Sequence, residues 1–234
     1  MTADQYDNFA ASYNAENASS LDNEYYERPA MIGLAGDVDG RRILDVGCGS
    51  GLLSAALRAK GAVMTGFDGS PAMVELARHR LGTDVPLCVA DLTKPLPYLD
   101  DAFDDVVTSL VLHYLRDWSG PLDELRRVLK PGGRLILSVP HPLVRAFNHP
   151  EEDYFATRQY SEDYEFSGDK VALTHWHRPL HAMTDAFTAS GFDITVVSEP
   201  APSPSTPVEL LTPRIRRGET SSFVSFIFFV LRAR

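Results

Sequence analysis

Short apolar runs alternate with helical patterns of apolar and polar residues from residue 42 onward. The apolar runs predict strands over 43–46, 62–67, 86–90, 105–112, 134–139, 192–198 and 223–232. The amphipathic stretches between them predict helices over 52–59, 71–81, 121–129 and 179–190. Strands that alternate with helices form parallel βαβ units with right-handed crossovers, so the pattern predicts an open α/β sheet.

Two segments lack this alternation of strand and helix patterns. Residues 1–35 carry aromatic and small residues at mixed spacing, which predicts short helices that form an N-terminal helical lid. Residues 141–177 are rich in His, aromatic and charged residues without a clean period, and such a stretch is typical of a binding insertion, here a substrate lid. The alternative is a surface excursion packed by its own aromatic rings. We expect residues 1–234 to form a single domain.

Composition and charge narrow the class of protein. A net charge of -10 argues against a nucleic-acid groove, because neutralising phosphates requires clustered Lys and Arg. The sequence starts without the pattern of a secretory signal, and the apolar run over 223–232 is only about half as long as a membrane helix. Cys48 and Cys88 show neither metal-ligand spacing nor a disulfide pattern. We therefore expect a cytoplasmic protein with no metal, nucleic-acid or membrane partner.

A glycine loop follows the first predicted strand, with Gly47, Gly49 and Gly51 in five positions. In open α/β sheets, such a loop lets a ligand approach the main chain beyond the carboxyl end of the strand. A dinucleotide fingerprint has its third glycine where this chain has Leu52, and a phosphate loop has Lys and then Ser or Thr where it has Leu52 and Leu53. An NAD(P)-dependent oxidoreductase is therefore a less favoured alternative.

Two aspartates come at the ends of later predicted strands. Asp68 follows the run AVMTGF, where a carboxylate can accept hydrogen bonds from both hydroxyls of a ribose. Its alternative role is a turn former ahead of Gly-Ser-Pro. Asp91 is placed to accept from an exocyclic amine, with the Leu92 amide beside it, and its alternative role is an ordinary loop aspartate.

Five segments occur in a familiar order: LDVGCGSG, GFDGSPAMVELAR, VADL, FDDVVTSLVLHYL and ELRRVLKPGGRLILSV. Together they resemble the class I S-adenosylmethionine-dependent methyltransferase family, and within it the small-molecule enzymes similar to ubiquinone and menaquinone methyltransferases. The resemblance is strong over residues 38–141 and weaker beyond. It implies a Rossmann-like open sheet of seven strands with helices on both faces, mostly parallel, with an antiparallel last strand over 223–232. It also implies S-adenosylmethionine as the cofactor.

The resemblance further implies which positions contact the cofactor. The methionine portion would be held by Asp45, Gly47, Cys48, Gly49 and Gly51. The adenosine portion would contact Asp68, Gly69, Met73, Asp91 and Leu92, with Asp68 on the ribose, Met73 packed on the adenine, and Gly69 leaving the ribose less shielded. Ser109 and Leu110 would face the sulfonium through their backbone carbonyls. Tyr13 is the best candidate for a tyrosine near the cofactor's carboxylate, with Tyr6 and Arg28 behind it.

The histidines supply the candidates for catalysis. His141 follows the strand predicted over 134–139, and His113 follows the strand before it, so each is a candidate base; the alternative for each is a packing or capping role. His175 and His177 are spaced like a metal pair but no third ligand is placed, which favours a structural or gating role. The aromatic residues expected to contact the acceptor are Tyr154, Phe155 and Trp176.

The prediction for function is the transfer of a methyl group from S-adenosylmethionine to a small-molecule acceptor by in-line displacement, with O or N as the expected acceptor atom. The alternatives are a non-catalytic S-adenosylmethionine-binding domain and the oxidoreductase. We expect a bacterial cytoplasmic enzyme that is a monomer or homodimer. The sequence names neither the acceptor nor its pathway.

Overall fold

A computed structural model describes residues 4–166 and 168–234. The strands in chain order are β1 (Arg42–Val46), β2 (Val63–Asp68), β3 (Leu87–Val89), β4 (Phe103–Ser109), β5 (Leu129–Pro140), β6 (Arg158–Phe166), β7 (Asp169–His177), β8 (Phe192–Ser198) and β9 (Phe226–Ala233). Seven of them form one sheet in the order β3-β2-β1-β4-β5-β9-β8, and β6 pairs with β7. The predicted open sheet of seven strands is confirmed.

The strand directions also agree with the prediction. Strands β1 to β5 pair in parallel, whereas β9 runs antiparallel to both β5 and β8. Most of β9 is buried, as expected of a strand covered on both faces. The carboxyl ends of β1, β2, β4 and β5 therefore meet at one edge of the sheet, where a ligand of an open α/β sheet binds.

Helices cover the two faces of the sheet. In chain order they are α1 (Asp4–Asp7), α2 (Ala10–Asn17), α3 (Arg28–Ala35), α4 (Leu52–Ala59), α5 (Pro71–Leu81), α6 (Ser119–Val128), α7 (Pro142–Asn148), α8 (Leu180–Ala189) and α9 (Pro213–Arg216). A π-helical turn spans Leu21–Glu27, and a 3₁₀ turn spans Leu112–Tyr114. Ile43 and Leu44 point to opposite faces and pack into two separate cores, one under α3, α4 and α5 and the other under α6 and α8.

The bounds of three strands differ most from their predictions. The strand predicted over 105–112 ends at Ser109, because Leu110 has a φ of +54° and a 3₁₀ turn follows. The strand predicted over 223–232 begins at Phe226.

The strand expected over 134–139 begins at Leu129 and includes the Lys-Pro-Gly-Gly stretch, which the sequence suggested only as a helix stop. Phe103 pairs with Leu129, but the next pair is Asp105 with Arg134, so β5 bulges between them. A Cβ atom on Gly133 would lie 2.9 Å from the carbonyl oxygen of Asp104, so the bulge has no room for a side chain.

The stretch predicted as irregular is also more ordered than expected. Residues 142–148 form α7, and β6 and β7 form a hairpin with residues alternately turned inward and outward. Tyr160, Tyr164 and Phe166 occupy inward positions of β6, but Glu162 interrupts the apolar alternation and hid the strand from the sequence pattern. The hairpin packs against α2 through a cluster of Phe9, Phe166 and Leu173.

The opposite edge of the sheet carries a buried ion-pair network. The Asp105 side chain is fully buried, and both Arg41 and Arg134 bind its carboxylate, with Arg134 Nε 2.7 Å from Oδ1. Arg134 also donates to the carbonyl of Ala35 at the end of α3. The network therefore ties β1, β4 and β5 together at the edge away from the glycine loop.

Within residues 4–166 and 168–234, no helix has the length and apolar character needed to cross a membrane.

Candidate active site

The glycine loop between β1 and α4 has a backbone that needs glycine. Gly47, Gly49 and Gly51 have φ values of +66°, +52° and +79°, which L side chains rarely adopt. A Cβ on Gly47 would lie 2.4 Å from Val111 Cγ2, so the position excludes a side chain by contact as well. Around Gly49 there is open space instead, and this leaves the main chain accessible to a ligand.

Asp68, at the end of β2, braces this loop. Its carboxylate is buried and accepts hydrogen bonds from Gly49 N at 2.8 Å and Ser70 N at 2.9 Å. Burial raises the pKa of Asp68, although the hydrogen bonds from Ser70, Gly49 and Gly69 act in the opposite direction. The turn-former role and the ribose role are compatible, because the same carboxylate also lines the cavity beside the loop.

Two further buried carboxylates lie near Asp68. Asp45 accepts from Ser54 Oγ at 2.6 Å. The pKa of Asp45 is raised to about 7. Burial is the main cause and the charges of Asp68 and Glu27 add to it, whereas the Ser54 hydrogen bond acts in the opposite direction. Such a group of acids in a low-dielectric cavity favours a cation between them.

The second carboxylate, Glu27, was missed by the sequence analysis. It ends the π-helical turn, is buried, and accepts from Ser109 Oγ at 2.7 Å and Ser138 Oγ at 2.6 Å. Burial raises its pKa, whereas the two serine hydrogen bonds and the charge of Arg28 lower it. Its partners lie at the ends of β4 and β5, so no local sequence motif marks it.

The cavity beside the loop, called here the loop cavity, has two lobes. The outer lobe is lined by Tyr6, Tyr13, Gly47, Gly49, Asp68, Met73, Ser109, Leu110, Val111 and Tyr114. The inner lobe is lined by Tyr13, Asn17, Asn23, Glu27, Arg28, Asp45, Gly47, Cys48, Gly49, Ser50, Leu52, Leu53, Ser109 and Leu110. The structure thus brings together nine of the residues that the resemblance assigned to the cofactor: Tyr13, Asp45, Gly47, Cys48, Gly49, Asp68, Met73, Ser109 and Leu110.

Four of the assigned residues do not line the loop cavity. Gly51 is the N-cap of α4, and a Cβ there would lie 3.0 Å from Leu81 Cδ1, so its place is explained by packing between α4 and α5. Asp91 accepts from both the backbone N and the Oγ1 of Thr93, each at 2.9 Å. Leu92 is buried in the apolar core, and Gly69 lies in the turn before α5. The cofactor contacts of all thirteen assigned residues stay predictions, whether or not the residues line the loop cavity.

Side chains of the N-terminal helices cover the outer lobe. The hydroxyls of Tyr6 and Tyr114 are hydrogen-bonded, and the rings of Tyr6 and Tyr13 meet edge to face with centroids 4.9 Å apart. Asp7 accepts from Ser70 Oγ, which links α1 to the start of α5. Burial raises the pKa of Tyr13 to about 12 and that of Tyr6 well above its ordinary value, so both phenols stay neutral.

A larger cavity, called here the aromatic cavity, adjoins the outer lobe and has a volume of about 300 Å³. It is lined by Tyr6, Tyr13, Glu16, Ser20, Asp22, Asn23, Leu110, His113, Tyr114, Pro140, Tyr164, Glu165, Phe166, Leu173, His175 and Phe226. It shares Tyr6, Tyr13, Leu110 and Tyr114 with the outer lobe. An acceptor in this cavity would therefore lie next to a ligand on the glycine loop.

The predicted histidines fall into two groups. His113 stacks on His175 with ring centroids 5.1 Å apart, and both line the aromatic cavity. His141 instead caps α7, where its Nδ1 accepts from Leu143 N at 3.1 Å and its Nε2 lies 2.9 Å from Glu199 Oε1. Both of its ring nitrogens are engaged, which fits the capping alternative; its role as a base stays a prediction. His177 Nε2 donates to the carbonyl of Tyr154 at 2.8 Å.

The predicted acceptor residues are also separated. Trp176 lines a further cavity of about 220 Å³, the histidine cavity, whose wall includes His113, His141, His175 and His177. Tyr154 lies outside these cavity walls and accepts from Leu180 N through its hydroxyl. Phe155 is 70% exposed. The histidine cavity shares no wall residue with the outer lobe, so contact of these three aromatic residues with an acceptor stays a prediction.

Comparisons with known proteins agree with this geometry. A family model described as a methyltransferase domain matches residues 44–137. The demethylmenaquinone methyltransferase of Clavibacter sepedonicus is 41% identical over 147 residues, which cover 60% of each chain. The malonyl-acyl-carrier-protein O-methyltransferase of Serratia marcescens is 35% identical over 58% of this chain and 51% of the relative. The chain thus spans between one half and two thirds of the length of these curated relatives.

A crystal structure described as an S-adenosylmethionine-dependent methyltransferase from Mesorhizobium loti is similar over 87% of this chain and 96% of the other, with 26% identity and a TM-score of 0.65.

Proposed function

We propose that this chain, which belongs to the class I S-adenosylmethionine-dependent methyltransferase family, transfers a methyl group from S-adenosylmethionine to a small-molecule acceptor. One observation carries the proposal. The loop cavity and the aromatic cavity share the wall made of Tyr6, Tyr13, Leu110 and Tyr114, so a donor site and an acceptor-sized space lie side by side.

The residues around the loop fit this cofactor by their chemistry. S-adenosylmethionine carries a cationic sulfonium and an ammonium, and the inner lobe offers the buried carboxylates of Asp45 and Glu27. Asp68 lies at the outer lobe, where its carboxylate oxygens can accept from a ribose, and Met73 packs beside it. The open space around Gly49 lets the ligand contact the main chain.

The chain's own contribution to methyl transfer is alignment and exclusion of water. When bound, S-adenosylmethionine would supply an activated methyl group, because its positively charged sulfur can keep the electron pair of the carbon–sulfur bond that breaks. Holding the two reactants in line can contribute on the order of 7–11 kcal/mol. The apolar and aromatic residues that line the aromatic cavity reduce the contact of the reactants with water.

The N-terminal helices and the segment over 141–177 act in this proposal as lids. The lobes enclose about 60 Å³ and 70 Å³, against roughly 300–1,000 Å³ for typical small-molecule sites. Tyr6 and Tyr13, which cover the outer lobe, must therefore move aside before a nucleoside-sized ligand can enter. The contacts of α1 and α2 with Ser70 and with the hairpin then close the site again.

Two alternatives fit less well. An NAD(P)-dependent oxidoreductase is disfavoured by Leu52 at the third fingerprint position and by the family match. A domain that binds S-adenosylmethionine without catalysis has no use for a second, acceptor-sized cavity beside the first. We also propose, from the relatives' bacterial origin, a bacterial cytoplasmic enzyme, acting as a monomer or homodimer on a small molecule rather than on nucleic acid or a membrane.

The test is a calorimetric titration with S-adenosylhomocysteine, followed by an assay for its release from S-adenosylmethionine with a panel of acceptors. Asp68→Ala is expected to weaken binding by at least about tenfold, because it removes both the proposed ribose acceptor and the brace on Gly49. Asp123→Ala, at an exposed position of α6, is the control and should bind normally. Absence of binding by the folded wild-type protein would refute the proposal.

A further inference from the structure

The charged side chains on the wall of the aromatic cavity are all acidic. Its lining residues include the acidic Glu16, Asp22 and Glu165 and, among the residues that the structure describes, neither Lys nor Arg. Glu165 is at an exposed position of β6 opposite Lys170, so Glu16 and Asp22 are the acids that matter most here. Asp22 Oδ1 accepts from Ser225 Oγ at 3.2 Å, which holds its side chain in place between the π-helical turn and β9. An incoming ligand therefore meets a negative potential at this wall.

The remaining polar groups on the wall are neutral at physiological pH. Burial lowers the pKa of His113 well below its ordinary value, and the charge of His175 lowers it further. Burial also lowers the pKa of His175, although the charge of Glu162 acts in the opposite direction. The tyrosines keep their protons, since burial raises the pKa of Tyr6, Tyr13, Tyr114 and Tyr164.

His175 has capacity for a ligand that the protein does not use. It is 4% exposed, and within the described residues neither of its ring nitrogens has a hydrogen-bond partner. Nδ1 of His113, stacked on it, is also unpartnered. Buried polar atoms are nearly always satisfied in native proteins, so the three unpartnered imidazole nitrogens on this wall, two of His175 and one of His113, indicate that a ligand completes their hydrogen bonding.

Aromatic rings form most of the rest of the wall. Tyr13 meets Phe166 edge to face at 5.3 Å, Tyr164 stacks on Phe166 at 5.7 Å, and Tyr6 meets Tyr114 edge to face at 6.0 Å. Electron-rich rings around a cavity attract a cation through their quadrupoles, and carboxylates at the rim add to that attraction.

Two arginines in the neighbouring histidine cavity do not reverse this charge. Arg145 is held by both carboxylate oxygens of Glu152, at 2.6 Å each, and lies 3.8 Å from Glu162. Arg178 packs over the ring of Trp118 at 4.6 Å and donates to the carbonyl of Arg116. The charge of Arg145 is thus compensated by carboxylates, and the Arg178 side chain is held by other contacts. Neither arginine lines the aromatic cavity.

From these features we infer that the aromatic cavity binds a cationic amine as the methyl acceptor, which makes this chain an amine N-methyltransferase. The inference rests on the proposed function. The ammonium lies among the tyrosine rings and the rim carboxylates of Glu16 and Asp22. Before its nitrogen can form a bond to the methyl carbon, the ammonium loses one proton to solvent, and an unpartnered imidazole nitrogen of His175 accepts a hydrogen bond from the resulting neutral amine. A carboxylate or phenolate acceptor is disfavoured, because it would bring a further anion to an acidic wall.

The curated relatives do not decide the acceptor. The family match covers residues 44–137, and of the residues lining the aromatic cavity only Leu110, His113 and Tyr114 fall inside it. The rest come from the N-terminal helices, Pro140, the hairpin and β9. The part of the chain that selects the acceptor is therefore largely outside the matched domain.

The experiment compares three probes of similar size by calorimetry: 2-phenylethylamine, 2-phenylethanol and 3-phenylpropionate. Each is titrated into the full chain with and without saturating S-adenosylhomocysteine. We expect the amine to bind at least about tenfold more tightly than the alcohol, and the carboxylate to bind most weakly. Added salt should lower the affinity for the amine and leave the affinity for the alcohol unchanged. Glu16→Gln and Asp22→Asn should each reduce the affinity for the amine by about threefold and leave the alcohol unchanged.

The control is Glu209→Gln, an exposed acid outside the cavity, which should leave all three affinities unchanged. Equal affinity for amine and alcohol, or a preference for the carboxylate, would overturn the inference while leaving the proposed function intact. Failure of S-adenosylhomocysteine to bind would instead refute the proposed function, and the titrations without it still report on the charge preference of the cavity.

Discussion

The glycine loop and the aromatic cavity are adjacent, but they are built in different ways. The loop cavity lies against the glycine loop that follows β1, where Gly47 and Gly49 have positive φ values, and Tyr6 and Tyr13 cover it. The aromatic cavity is shaped by side chains from the N-terminal helices, the hairpin and β9, which are far apart in sequence. The glycine loop, which depends on a local motif, can recur across relatives, whereas a wall assembled from distant side chains can change its chemistry by substitution.

The largest effect is expected on stability, from a substitution in the buried ion-pair network of Asp105. Asp105→Asn leaves Arg41 and Arg134 without their shared buried carboxylate and should lower the free energy of unfolding by about 3–5 kcal/mol. Burial raises the pKa of Asp105, but the hydrogen bonds from Arg134 and Arg41 outweigh it, so the net shift is downward. The stabilisation is therefore complete above about pH 4 and is lost as the pH falls through the folded-state pKa.

Denaturant titrations across pH would measure this effect. Asp104→Asn is the matched control, because Asp104 pairs with Lys130 at a more exposed position and should cost at most about 1 kcal/mol. Similar losses from the two variants would contradict the buried-network interpretation.

Loss of the main-chain cradle should give the next largest effect. Gly47→Ala places a Cβ against Val111 and should weaken binding of S-adenosylhomocysteine by about a hundredfold, since the loop must shift to relieve the contact. Gly36→Ala tests the backbone alone, because Gly36 has the same φ of +66° but open space around its Cβ. Calorimetry should show normal binding by Gly36→Ala, and equal losses in both variants would assign the effect to general strain.

The acids of the inner lobe should make cofactor binding depend on pH. The pKa of Asp45 is raised to about 7 in the folded protein, so Asp45 keeps its proton there over a pH range in which it is ionised in the unfolded chain. The ligand-free protein therefore loses stability as the pH rises from about 4 to about 7. A bound ammonium removes that loss of stability, so affinity for S-adenosylhomocysteine should rise by up to about tenfold per pH unit below pH 7 and level off above it. Asp45→Asn should flatten this dependence, and an unchanged slope in the variant would assign it to another group.

The smallest effect is expected at the outer surface of the insertion. Phe155→Ala should change the free energy of unfolding by less than about 0.5 kcal/mol and leave the affinity for 2-phenylethylamine unchanged, because the ring is 70% exposed and outside the aromatic cavity. A marked loss of amine affinity would show that the insertion closes further over the acceptor than this structure does.

The sequence predicted what local patterns encode. The start of α5 follows from Ser-Pro at positions 70 and 71, and Ser70 Oγ does accept from Met73 N at 3.2 Å. Glu27 could not be predicted, because its role depends on Ser109 and Ser138, which only the folded sheet brings to it. Strand β6 was missed because Glu162 breaks its apolar alternation, although Tyr164 donates a hydrogen bond to that same carboxylate.

The position of β9 in the sheet bears on the order in which the molecule forms. β8 has β9 as its sheet neighbour, and β9 reaches the sheet by pairing with β5, so completion of the sheet depends on contacts between distant parts of the chain. Long-range pairing of this kind slows folding. Phe226 begins β9, pairs with Pro140 and forms part of the aromatic wall. We therefore expect the acceptor side of the molecule to be acquired late in folding, after the donor side has already taken shape.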